Sequence, residues 1–150
     1  MQVNFYDSVD DDLLKFAVII AKADGKWVFC KHKERETYEI AGGHRESGES
    51  ILDTAKRELN EETGAKDFSI NPVCVYSVIG KNRVNGTGEE MYGMLYFAQI
   101  KNFEEELHSE MEKVVLFDEL PTEWTYPLIQ PKLIKEAERR GYLSCEQKKR

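Results

Sequence analysis

Residues 43–65 read GHRESGESILDTAKRELNEETGA, and six of these 23 positions are acidic. Glu58, Glu61 and Glu62 fall within five positions of one another. On a helix, at about 100° per residue, they share one flank. Like charges three or four residues apart repel by roughly 0.2–0.5 kcal/mol a pair, so the crowding works against the helix. The segment is nonetheless written as one. Ile51, Leu52, Ala55 and Leu59 recur at helical spacing as an apolar face. Ser50 with Asp53 three residues on is a start signal, and Gly64 is a stop. The spacing predicts a helix over 50–63 with its acids on the border between core and solvent. Gly42 and Gly43 come just ahead, where a backbone without Cβ lets a ligand approach closely. Crowded carboxylate oxygens suit Mg²⁺ or Mn²⁺, which turns their repulsion into attraction. Arg57, in the middle of the helix, can fork onto one carboxylate and leave other oxygens to metal. The bland alternative is a solvated charged face eased by Lys56 and Arg57.

Composition sets the frame. A chain of 150 residues is read as a single domain over 1–150, with 142–150 a frayed, solvated tail. The net charge of −7 disfavours a broad nucleic-acid groove but leaves room for one phosphorylated small molecule or a single RNA end. No apolar run nears the roughly 18 residues of a membrane span. The acidic MQVNFYDSVDDD has no apolar stretch of the kind a signal peptide carries. Cys30, Cys74 and Cys145 are odd in number and widely spaced, which fits reduced thiols and a cytoplasmic location. Neither they nor His32, His44 and His108 have zinc-ligand spacing. Monomer and homodimer are both open.

Along the chain, LLKFAVIIAKADGKWVFCKHK reads as a hairpin about Asp24-Gly25, and TYEI as a short strand entering Ala41-Gly42-Gly43. FSINPVCVYSVIG and MYGMLYFAQI flank a turn-rich NGTGEE, and KVVLF is a further strand. A second amphipathic helix is expected from Pro127 to Arg140, with Leu128, Ile129, Leu133, Ile134 and Ala137 apolar. The order predicts an α+β protein, a mixed sheet between two helices in an α/β/α sandwich.

Gly43, five residues, Glu49, seven residues, then Arg57-Glu58-Leu59-Asn60-Glu61-Glu62-Thr63-Gly64-Ala65 resembles the complete Nudix box, G-x5-E-x7-R-E-U-x-E-E-x-G-U with U a large aliphatic. Ala65 is smaller than the usual aliphatic, and Ala41 stands where many members have Pro. LFDELP is also similar to a strand-to-turn segment of the MutT-like members. The resemblance implies the Nudix fold, with the catalytic loop and helix at 42–64. It also implies hydrolysis of a nucleoside diphosphate linked to another group, with one to three Mg²⁺ or Mn²⁺ ions. It assigns metal ligation to Glu58, Glu62, Glu61 and the carbonyl of Gly42. Arg57 would orient Glu58, with Gly43 and Glu49 supporting it. One more carboxylate is expected from a later loop, where spacing favours Glu110 over Glu106, Glu104, Glu105 and Glu112. Glu58 and that late glutamate are both candidates for the general base.

On substrate, the resemblance leans to MutT-like enzymes of the 8-oxo-dGTP diphosphatase type. The chain lacks an SQPWPFP-like array, has Gly at position 80 where ADP-ribose hydrolases tend to carry Pro, and has no Tyr at 80–83. The expectation is hydrolysis of an oxidised or ordinary purine nucleoside triphosphate to the monophosphate and pyrophosphate. Removal of pyrophosphate from an RNA 5′ end is the alternative, and a non-catalytic nucleotide-sensing module the reading of another class. Thr125, two residues before Pro127, falls where the founding member has its base-reading Asn. Tyr126, Trp124, Phe5 and Tyr6 are candidates to stack on a base, and Lys31, Lys33 and Arg35 to meet phosphates.

Overall fold

The computed structural model describes residues 1–81, 85–104 and 111–143, the last of these without the side chains of 111–113. Its elements are β1 Gln2–Tyr6, β2 Leu14–Ala23, β3 Lys26–His32, β4 Tyr38–Glu39, β5 Ala41–His44, α1 Ile51–Thr63, β6 Ala65–Ile79, β7 Met91–Phe103, β8 Met111–Phe117 and α2 Gln130–Arg139. The strands form one mixed sheet in the order β1-β6-β7-β2-β3-β4, with β5 also on β2 and β8 also on β3. Among the named strands the β2–β7 pair is parallel and the others are antiparallel.

β2 is covered on both faces, which is why LKFAVIIAKA is nearly continuous in apolar residues. It leads into β3 through Asp24 (φ 52°) and Gly25 (φ 75°), the two left-handed residues that a type I′ hairpin turn requires. One sheet face packs on α1 through Ala55 and Leu59, the other on α2 through Leu133, Ile134 and Ala137. The result is the α/β/α sandwich. No described helix is long and apolar enough to cross a membrane.

Several expectations change. Gly42 and Gly43 are strand, not loop: β5 pairs with β2, Gly42 opposite Val18 and Gly43 opposite Ala17. The approach is close, since a Cβ on Gly42 would lie 2.7 Å from the Ala17 carbonyl oxygen. The loop of the motif is therefore 45–50. α2 begins at Gln130, and Leu128, expected on its apolar face, is 57% exposed before it. β1 was not foreseen, because QVNFY is short and only half-buried; it pairs along β6 from Gln2–Ile79 to Tyr6–Val75. β6 starts directly after the Gly64 stop and runs through Pro72, where the register shifts. The tail is not loose from its start. Leu143 is buried, and Tyr142 donates its hydroxyl to the Pro72 carbonyl at 2.8 Å.

Candidate active site

α1 starts and stops as its sequence dictates. The Ser50 hydroxyl accepts the Asp53 N–H at 3.0 Å, and Gly64 closes the helix at φ 77°. Burial of Ala55 and Leu59 fixes the helix rotation, and this brings the acidic flank against β5. The Gly42 N–H donates to Glu62 Oε1 at 2.9 Å. A Cβ on Gly43 would lie 2.2 Å from Glu58 Oε2, so the carboxylate occupies the space a side chain would take.

Arg57 organises the rest. Its Nε donates to Glu49 Oε2 at 2.6 Å and one Nη to Glu49 Oε1 at 3.1 Å. The other Nη reaches Glu58 Oε2 at 2.9 Å and Glu61 Oε1 at 3.2 Å. Glu49 is held further by the Glu46 N–H and the Thr54 hydroxyl, both at 2.9 Å. The Arg57 hydrogen bond, first among these contacts, lowers the Glu49 carboxyl to a pKa of about 2. Arg45 anchors the loop from behind, donating to the Glu49 carbonyl at 2.8 Å and the Asp11 carboxylate at 2.9 Å.

Each of the three acids thus has one oxygen engaged, while Glu58 Oε1, Glu61 Oε2 and Glu62 Oε2 have no hydrogen-bond partner among the described residues. Burial pushes the Glu62 pKa up to about 8, with the charges of Glu58, Glu39 and Glu61 adding to the rise. Burial also raises Glu58, against the pull of Arg57. Among the described residues no three His, Cys, Asp or Glu side chains already close into a cage. The donor set nonetheless fits a hard divalent cation: three carboxylates, a spare oxygen on each, and a shared guanidinium that does not balance their charge.

Glu110, with Glu105 and Glu106, lies outside the described residues, and so does the side chain of Glu112. Glu104 is described, and one oxygen of its carboxylate accepts the Asn60 amide at 2.7 Å.

Beside the acids opens a cleft with about 660 Å³ of free space, part of it open to solvent. Its walls include Phe16, Tyr76, Met91, Tyr126 and Leu133, and Gly42 and Gly43 border it on the acidic side. Gly93 underlies two of the rings: a Cβ there would lie 2.8 Å from both Phe16 and Tyr76. Of the residues expected to read or stack on a base, Tyr126 lines this cleft. Thr125 does not. It is buried, with its hydroxyl 2.7 Å from that of Thr37. Trp124 packs edge-on against Phe29, and the Tyr6 hydroxyl is held by Glu90. Phe5 packs partly buried against the α2-side core. Lys31 is buried near Glu36, Arg35 donates to Glu39 at 3.2 Å, and Lys33 is exposed. Four polar lining residues were missed, Glu39, His44, Asn85 and Gln130. Gln130 had left a signal: with 133, 134 and 137 it completes an i, i+3, i+4, i+7 stripe, where a polar residue needs a reason.

A glutamate-bearing helix clamped by one arginine onto a glycine strand defines the class. The NUDIX domain description matches residues 13–137, and the chain belongs to the NUDIX family. It is an enzyme of the hydrolase type, acting on nucleoside diphosphate-linked substrates. It is 35% identical over 122 residues to YtkD of Bacillus subtilis (strain 168), which carries the provisional name 8-oxo-dGTP diphosphatase; the match spans 81% of this chain and 73% of YtkD. A crystal structure of a mutant of the Bacillus subtilis pyrophosphohydrolase BsRppH superposes with a TM-score of 0.76 at 29% identity, covering 95% of this chain and 92% of that one. A NUDIX hydrolase from Nitrosomonas europaea shares the fold at TM-score 0.67 and 21% identity, over 84% of this chain and 89% of that one.

Proposed function

We propose that the chain hydrolyses a purine nucleoside triphosphate, ordinary or oxidised, to the monophosphate and pyrophosphate in a divalent-metal-dependent reaction. The observation that carries this reading is the set of three spare oxygens on Glu58, Glu61 and Glu62 next to a cleft walled by Phe16, Tyr76 and Tyr126. Glu58, Glu61 and Glu62, with the Gly42 carbonyl and Glu110, would hold one to three Mg²⁺ or Mn²⁺ ions. Held by these residues, such an ion would supply neutralisation of the phosphate oxygens and activation of water.

The chain's own residues do the positioning. Arg57 keeps Glu58 and Glu61 from splaying apart, and Glu49 keeps Arg57 in register. Gly43 leaves the space in which the Glu58 carboxylate sits. Glu58 or Glu110 takes the proton from the attacking water. The cleft receives the base, with Tyr126 on its wall, and Lys31, Lys33 and Arg35 border the path of the phosphates.

A 5′-triphosphate RNA carries the same reacting group, and the likeness to a pyrophosphohydrolase over 95% of the chain supports including it in the test. The experiment is a panel of nucleoside triphosphates, 8-oxo-dGTP and a short 5′-triphosphate RNA, with Mg²⁺ and products identified by mass. Monophosphate plus pyrophosphate from the free nucleotides is expected. Turnover of the RNA alone would move the assignment to RNA 5′ ends.

A further inference from the structure

Glu49 is held from two sides by arginines. Arg57 takes its carboxylate. Arg45 takes its backbone, the Nε donating to the Glu49 carbonyl at 2.8 Å. That bond closes residues 45–49 into a ring, which the left-handed Gly48 (φ 85°) and the Glu49 N–H on the Glu46 carbonyl at 3.1 Å also shape. The rest of the Arg45 guanidinium holds the segment where the chain enters β2. One Nη donates to the carbonyls of Asp11 at 3.0 Å and Leu14 at 3.4 Å, and the other to the Asp11 carboxylate at 2.9 Å. The Arg45 N–H donates to the Lys15 carbonyl at 2.8 Å, so the root of the side chain is itself fixed to β2.

These two residues stand outside the motif's fixed positions. Arg45 fills one of the five free places between Gly43 and Glu49, and Asp11 lies ahead of the residues 13–137 that the NUDIX description matches. A guanidinium is planar and its donors keep fixed directions. With Arg45 on the peptide of Glu49 and Arg57 on its carboxylate, Glu49 has little room to turn or slide. If the Glu49 peptide drifted, Arg57 would turn with it, and so would the Glu58 and Glu61 oxygens that Arg57 holds.

We propose that Arg45, braced by Asp11, is a positioning residue of the active site: it sets the acid cluster through Glu49 and Arg57. This rests on the acids being the metal site of the proposed reaction. Asp11 is the weaker member, because its carboxylate is 65% exposed and screened by solvent. A merely structural Arg45, stapling residues 11–14 to the loop, would affect the melting temperature and leave metal binding and turnover alone.

The test uses the full chain with Arg45→Met, which keeps the stem and removes the donors, Arg45→Lys, which keeps charge without the fork, and Asp11→Ala. Mn²⁺ binding is measured by calorimetry without nucleotide. Then kcat and KM for GTP are measured at saturating Mg²⁺, well below each variant's melting temperature. Arg45→Met should weaken Mn²⁺ binding about threefold or more and lower kcat about tenfold, with KM changed by less than about threefold. Arg45→Lys should fall between it and the wild type, and Asp11→Ala should stay within about threefold of wild-type kcat. Wild-type Mn²⁺ affinity and kcat in Arg45→Met, whatever its melting temperature, would overturn the inference. Should Arg45→Met fail to fold, Arg45→Lys decides, a loss in kcat upholding the role and wild-type values overturning it. A wild-type chain that binds no Mn²⁺ would defeat the metal reading of the acids and this inference with it. Equal Mn²⁺ binding and turnover by wild type and variant would defeat the positioning role alone.

Discussion

Glu49 and Arg57 are joined by two hydrogen bonds, Nε to Oε2 at 2.6 Å and Nη to Oε1 at 3.1 Å, which tie the loop before α1 to the helix's middle. The same guanidinium reaches forward to Glu58 and Glu61. The carboxylates are thus located through a planar fork that is itself clamped. A lysine offers charge without that fork.

Arg57→Lys should therefore keep the fold and lose positioning. Misplacing reacting groups by about 1 Å costs on the order of 10²-fold in rate. Steady-state kinetics should show a drop of about that size in kcat. Wild-type turnover by this variant would mean that Arg57 contributes charge alone.

Gly43→Ala tests the close approach of helix and strand. The new Cβ would stand 2.2 Å from the Glu58 carboxylate, so Glu58 must move. We expect a rate loss of about 10²-fold or more with a cooperative melt retained. Little change in rate would show that the position of Glu58 is not critical.

Glu62→Gln keeps shape and removes a charge from the acid cluster. Losing several kcal/mol of transition-state stabilisation corresponds to about 10³-fold in rate. Thermal stability should not fall, since the buried carboxyl is exchanged for a neutral amide whose oxygen can still accept the Gly42 N–H. Glu46→Gln is the matched control: its carboxylate is 68% exposed and 3.8 Å from Arg57, and such pairs contribute roughly 0–1 kcal/mol. Equal effects from the two variants would reduce the acids to a solvated face.

Acid stability should depend on Glu136, which is buried on α2 and accepts from Arg139 at 3.0 Å and Arg140 at 2.8 Å. Arg140 continues to Asp7, just past β1. The Arg139 bond first, and Arg140 with it, lower the Glu136 pKa from 4.5 to about 2. A lowered carboxyl contributes stability that is fully present above the unfolded pKa and is lost as pH falls toward the folded one. Glu136→Gln should then cost about 1 kcal/mol at pH 7, discounted because Arg139 is largely exposed, and almost nothing near pH 2. A cost that does not shrink across pH 4.5 to 2 in denaturant titrations would contradict the assignment.

The sequence announced α1 in detail because its signals are local: a stripe, a cap and a stop glycine within 15 residues. It also announced the β2–β3 hairpin through Asp24-Gly25. It hid what depends on distant partners. Gly42-Gly43 reads as a loop because glycine disfavours strands, yet its flatness is what lets β5 lie against β2. β1 is too short to signal itself and exists by pairing with β6. Thr125 looked like a base reader by its distance from Pro127, but the start of α2 at Gln130 leaves Thr125 facing Thr37 and brings Gln130 into the cleft.

If the acids of α1 drive metal-dependent cleavage of a nucleoside triphosphate, the reaction must follow the metal. Pyrophosphate release from GTP is followed with Mg²⁺, with EDTA, and with Mg²⁺ restored after EDTA. Stoichiometric GMP and pyrophosphate are expected with Mg²⁺, with loss of the activity in chelator and recovery on restoring the metal. Undiminished release in EDTA would contradict that dependence.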